Sequence, residues 1–346
     1  MSGVRVPHGP PQTYELCSAT LLRIPPSLAS NSHSCSATGG SSPSRPTTNP
    51  LASFLYNRQV PARLILNADD FGQTPGINRA IEELHRAGAL TSATLMAGGA
   101  AFESAVDIAR RNPALGVGCH VVLVDGAPIA PADSVSSLLG RDRKNFRSSI
   151  AEFALAALRG AIRPEDVERE SIAQIQRLQH AGIQITHLDS HKHTHLFPAV
   201  LRPLLRAAVF TGVHALRRPF EPRWSTKLAG APLLRRLQLQ ALGKFASSFD
   251  QLTRLPDSPV RVPDGTLGIA ATGTLDAPHL RSMLEALPKD GTFELCCHPG
   301  YVDATLVGQK TRLRATREIE MLALHEVIPE ILRTQHPPQL IHYGQI

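Results

Sequence analysis

The five cysteines, Cys17, Cys35, Cys119, Cys296 and Cys297, form no C-x-x-C pair. That excludes a zinc knuckle and a thioredoxin-type redox motif, and the scatter fits a reducing compartment. The chain also lacks any apolar run of the roughly 18 residues that a membrane-spanning helix needs. No signal peptide is expected, because the short patch CSATLLRI is broken by Arg23 and followed by Pro25 and Pro26. Nor is there a dense Lys/Arg block or an alternation of basic and aromatic residues. The net charge of +7 is partly local: Arg5, Arg23, Arg45 and Arg58 face only Glu15 in residues 1–62, leaving +4 over the other 284. Nucleic-acid binding is therefore not expected, and the reading is of a cytoplasmic protein.

What is present divides in two. Residues 1–61 are rich in Ser, Pro, Thr and Gly, as in SNSHSCSATGGSSPSRPTTNP. Such a segment buries too little apolar area to offset its ordering entropy, and reads as a disordered leader or as translated sequence upstream of the true start. Over 62–346, short β-rich runs alternate with helical patterns. Eight strands are expected, at 63–68, 91–96, 116–123, 183–189, 213–219, 265–270, 292–297 and 338–343. The alternation predicts a distorted (β/α) TIM-like barrel of parallel strands, with a doubly wound open sheet as the competing layout. After the first strand, Thr74 is a fitting N-cap, Pro75 takes N1, and Ile77, Ile81 and Leu84 form an apolar stripe.

Residues 221–255 break the alternation by mixing leucines with Arg223, Lys227, Arg235, Arg236 and Lys244. This segment reads as an inserted helical hairpin covering the barrel, or as a surface meeting a membrane or a lipid-linked substrate.

Polar groups gather where strands end, the end that carries chemistry in such folds. Asp69 and Asp70 follow the apolar LILNA, where two adjacent buried carboxylates repel and a bound cation would relieve them. Either could instead cap the next helix. His120 follows GVGC, although a lone strand histidine is often a packed core residue. The run THLDSHKHTH holds His187, Asp189, His191, His193 and His195. Continued extended geometry would put them on one side about 6.5 Å apart per pair, too far for a single ion to bind all. Asp189 could orient a ligand imidazole. His298, in ELCCHPG, is equally readable as a turn histidine.

The stretches LILNADDFGQTPGINRAIEELHRAGALTSATLM, GVGCHVVLVDGAPI, THLDSHKHTHLFP and ELCCHPGY, in this order between Arg63 and Tyr301, resemble the YdjC-like (ChbG-type) carbohydrate deacetylases. HVVLVDG and HKHTH are similar to the hopanoid-biosynthesis branch, HpnK. The resemblance implies metal-dependent removal of an N-acetyl group from an amino sugar, on a chitooligosaccharide or an N-acetylglucosaminyl hopanoid. It implies Asp70, His120 and His191 as ligands of a divalent ion, Mg2+ or Zn2+, with Asp69 as base and His298 as acid. Lys192 stands where many relatives have histidine. Asp189 is read as support for a ligand, His193 and His195 as pocket-lining or substrate-facing, and His187 as a strand residue below the site. Other amide or phosphoester hydrolysis on the same fold, or a sugar- or lipid-binding barrel without catalysis, are the alternatives. Peripheral membrane contact is compatible with this reading, as is a homodimer.

Overall fold

The computed structural model describes residues 61–256, 258–309 and 311–346. Apart from Pro61, the leader expected over 1–61 lies outside the described residues. Among the described residues seven strands form: β1 (Arg63–Phe71), β2 (Ser92–Leu95), β3 (Gly116–Val121), β4 (Ile185–Ser190), β5 (Gly265–Leu267), β6 (Thr292–Cys297) and β7 (Gln339–Leu340). The helices are α1 (Pro75–Arg86), α2 (Phe102–Arg111), α3 (Ile150–Leu158), α4 (Pro164–His180), α5 (Pro198–Thr211), α6 (Arg223–Leu228), α7 (Leu233–Leu242), α8 (Ala246–Thr253), α9 (Ala277–Glu285), α10 (Ala304–Val307) and α11 (Thr316–Leu332).

All strand pairings are parallel, in the order β4-β3-β2-β1-β6-β5, with β7 against the start of β1. Every residue of β3, and all of β1 after Arg63, is buried. Burial on both faces is why these strands read as near-continuous apolar runs. The strand expected at 213–219 does not form. Only Ala215 and Leu216 make isolated bridges, to Arg261 and Leu188. Pro219 offers no N–H, and Arg217, two residues before it, commits its side chain to the interior. Backbone bonds from Leu188 N to Ala215 O (2.9 Å) and from Leu216 N to Arg261 O (2.9 Å) still carry the ring past β4. Thr266 of β5 touches the same connection through Phe220 O. The result is a distorted, incompletely paired barrel rather than an open doubly wound sheet.

Thr74 caps α1 through Ile77 N, with Pro75 in the first turn and Ile77, Ile81 and Leu84 buried. On α4, Gln174 bonds both Val122 N (2.8 Å) and Val122 O (2.7 Å). Glu170 accepts from Ile129 N and Ala130 N. These two side chains pin the loop after β3 beside the strand ends. The segment expected as a helical hairpin is three short helices, α6 to α8, the last two joined by a 3-10 turn at Gly243–Phe245. No helix among the described residues is long and apolar enough to cross a membrane.

Candidate metal centre

Neighbouring residues of a regular strand point to opposite faces, yet Asp69 and Asp70 both line one cavity. The register of β1 against β2 shifts between Ala68 and Phe71, and Asp70 takes a left-handed φ of 66°. This bulge re-aims the second carboxylate. A left-handed non-glycine residue is strained, and such strain collects at functional sites. The ADDF segment therefore completes β1, where a loop was expected to begin.

The other groups arrive by register. His120 pairs with Asp189, so His120 Nδ1 donates to Asp189 Oδ1 at 2.7 Å and its Nε2 is left facing the cavity. Ala68 pairs with Cys297, and the next residues along are Asp69 and His298. The run after β4 does not stay extended. Ser190 ends the strand, and Lys192 and His193 adopt left-handed φ of 54° and 53° inside a 3-10 turn. That turn breaks the expected alternation and sends its histidines to different places.

His191 Nδ1 lies 3.5 Å from Asp70 Oδ1 and 3.4 Å from His120 Nε2, and His120 Nε2 is 3.6 Å from Asp70 Oδ1. Asp70 Oδ1 is buried and has no hydrogen-bond partner. Three donors about 2.1 Å from a common tetrahedral centre lie about 3.4 Å apart, so this triangle has the size a divalent ion needs. The surrounding charge fits as well. Five buried carboxyls (Asp69, Asp70, Asp189, Glu294 and Glu320) face two buried guanidiniums, Arg217 and Arg317. Two other close donor sets, Asp69–Cys296–His298 and Asp69–His120–Asp189, are poorer candidates. Burial raises the Cys296 thiol well above its usual range, and Arg217 already grips the carboxylates.

Arg217 is the centre of that grip. It donates to Asp69 Oδ2 at 2.8 Å and to Asp69 Oδ1 at 2.6 Å, lies 2.6 Å from Asp189 Oδ2 and bonds Glu294 at 2.6 Å. Thr94 Oγ1 sits between Asp69 and Asp189. Burial alone would raise the Asp69 carboxyl, but Arg217, His120 and His298 outweigh it and hold it well below the usual range. Arg317, at the start of α11, donates to Asp70 Oδ2. Against burial, Arg317, His191 and His120 hold Asp70 well down. Burial would also lower His120, but Asp189, Asp69 and Asp70 push it up to about 9.

His298 Nε2 is 3.8 Å from Asp69 Oδ2, and its Nδ1 is 3.7 Å from Glu320. Glu320 and the two aspartates raise its pKa against the pull of burial. His193 lines the cavity, while His195 is fully buried and does not. His195 bonds Ser190 Oγ at 2.6 Å and the Arg217 carbonyl at 3.2 Å. Its expected place facing substrate is therefore corrected to a packing role, enforced by the turn at Lys192. His187 is buried beneath and stacks on Tyr343 at 3.8 Å. Gly118 makes room for it, since a Cβ there would meet the ring at 2.5 Å. Burial, then Arg217, lowers His187 and His193 well below the usual range and His195 to about 3. Lys192 pairs with Asp125 at the cavity rim.

A family model for YdjC-like proteins matches residues 63–329. The chain belongs to the YdjC-like family. It is 34% identical over 269 residues to a Brevibacillus brevis protein named carbohydrate deacetylase, covering 77% of this chain and 92% of that one. A Homo sapiens protein of the same name is 32% identical over 258 residues, covering 69% and 75%. The YdjC-like fold also superposes on a crystal structure of an Enterococcus faecalis protein named for cellobiose-phosphate cleavage. The TM-score is 0.62 at 25% identity, covering 82% of this chain and 98% of that one.

Sequence reasoning missed Arg217, Arg317, Glu294 and Glu320. Arg217 ends an apolar run, VHAL, as Asp69 and His298 end theirs, so the same strand-end rule reaches it. Arg317 and Glu320 lie one turn apart on α11, whose apolar residues form no single stripe to mark an inner face.

Proposed function

We propose that this YdjC-like protein is a metal-dependent hydrolase that removes the N-acetyl group of an acetylated amino sugar. The observation that carries this is the triangle of Asp70 Oδ1, His120 Nε2 and His191 Nδ1, with its orphaned carboxylate oxygen at the floor of a cavity of about 2110 Å³. A divalent ion held there would supply Lewis acidity towards the acetamide carbonyl and a water of lowered pKa. Two imidazoles and one carboxylate suit zinc or another transition ion better than magnesium.

Asp69 takes the proton of the attacking water. Its depressed pKa makes it a base only for an acidified water, and ready to release the proton again. His298, 3.8 Å away and with a raised pKa, holds a proton for the leaving amine. Protonation of that nitrogen lets the C–N bond break to give acetate and a free amino sugar. Asp189 fixes the tautomer and orientation of His120, and Arg217 keeps Asp69 and Asp189 in register. His193 and Lys192 meet the sugar from the rim.

The test is acetate release from N-acetylglucosamine oligomers by the purified protein, before and after chelation and metal return. Chelator-sensitive, metal-restored release is expected. Equilibrium measurement showing no bound divalent ion, or full activity in Asp69→Asn, would overturn the assignment.

A further inference from the structure

Between Pro222 and Phe249 the chain carries five cations, Arg223, Lys227, Arg235, Arg236 and Lys244, and no acidic residue. None of the five forms an ion pair among the described residues. Helix α7, in their midst, contains no fully buried residue. Its two faces differ. At 100° per residue, Arg235, Leu239 and Leu242 share the inner side: Arg235 bonds the Ile269 carbonyl at 3.0 Å, and both leucines line the catalytic cavity. Leu233, Leu234 and Leu237 share the outer side, at 70%, 70% and 52% exposure, and none of them lines the cavity. A ten-residue helix is marginal in water unless it buries a face.

A second apolar element lies beside it. Phe153 of α3 stacks towards Phe197 at 6.3 Å, and Phe197 meets Phe245, just after α7, at 5.6 Å. Helix α3 likewise presents Leu155 and Leu158 to solvent, while its Ile150 lines the cavity.

We propose that α7 and the turn after it are a docking surface for an anionic lipid membrane, seating the mouth of the cavity against the bilayer. Outward leucines flanked by unpaired cations match an interface of acyl chains and acidic headgroups. A small soluble phosphate would engage the cations but leave the leucines wet. A second copy of the chain would press the exposed Arg223, Lys227, Arg236 and Lys244 against like charges. The catalytic reading enters only through what the cavity holds, and the test measures binding without turnover, so either reading can fail alone.

The full chain is floated with vesicles of phosphatidylcholine alone and with vesicles containing phosphatidylglycerol. Binding to the anionic vesicles only is expected, weakening as salt rises. The double variant Arg236→Gln/Lys244→Gln should bind roughly twenty- to thirty-fold more weakly, each charge counting for about fivefold. The variant Leu233→Gln/Leu234→Gln/Leu237→Gln should lose at least about tenfold. It should also keep its circular dichroism spectrum and its activity on soluble oligosaccharide. Absence of binding to anionic vesicles overturns the proposal, as does binding that the leucine variant leaves unchanged. Concentration-dependent self-association abolished by the leucine variant, without vesicle binding, assigns the surface to a second copy instead.

Discussion

Arg217, at the strand ends, is wholly buried and touches three carboxylates. Arg236, on α7, is exposed and has no ion-pair partner among the described residues. The same side chain does opposite work in the two places. Around Arg217 every lost contact strands a charge in low dielectric, so the geometry of Asp69, Asp189 and, through it, His120 is over-determined. On the outer side of α7, Arg236 is solvated and Leu233, Leu234 and Leu237 are exposed, so local changes there have little to disturb. A catalytic centre needs the first arrangement. A surface that meets a soft, variable partner can use the second.

The contrast is broken most severely at Asp69, the proposed base. Asp69→Asn should lower kcat roughly 10²- to 10⁴-fold while calorimetry still detects metal binding. His191→Ala should lose both activity and the ion. Next comes Arg217→Ala, which leaves Asp69, Asp189 and Glu294 without their counter-charge. Urea unfolding should show a loss of about 3–5 kcal/mol, far beyond anything on α7. Asp189→Asn should weaken metal affinity about 10- to 100-fold with the fold intact, since it removes the orienting partner of His120. Direct metal titration reads this.

A pH profile sharpens the point further. In the proposed mechanism His298 acts protonated, and its pKa is raised, so activity should fall as pH rises through that raised value. Glu320→Gln removes a main cause of the raising and should move the alkaline limb of kcat to lower pH. An unmoved limb would show that another group donates the proton. The smallest effect belongs to the cover: Leu234→Gln should change stability by less than about 0.5 kcal/mol in the same urea experiment. A larger loss would mean that Leu234 packs on the protein after all.

Much of the strand framework was legible because buried parallel strands announce themselves as apolar runs with polar ends. That rule led to Asp69, Asp70, His120, Asp189 and His298. It failed at 213–219, where pairing thins to two bridges because Arg217 and Pro219 serve other needs. It also failed within HKHTH, where two left-handed residues part His191 from His195. Nothing in the spelling of those five residues distinguishes a strand that continues from a turn that reverses. The pairing of Arg317 with Asp70 joins positions 247 residues apart, and no local pattern encodes it.

The sequence alone determined a chain of βα units and the residue types waiting at the strand ends, because burial and periodicity are local properties. Only the tertiary structure decided which of them meet. The bulge at Asp70 aims both aspartates into one cavity, and the β3–β4 register sets Asp189 behind His120. Two arginines unsuspected as site residues then divide the carboxylates between them. Convergence of that kind follows from the closing of the sheet, which places side chains distant in sequence within one low-dielectric pocket where charge has to be balanced.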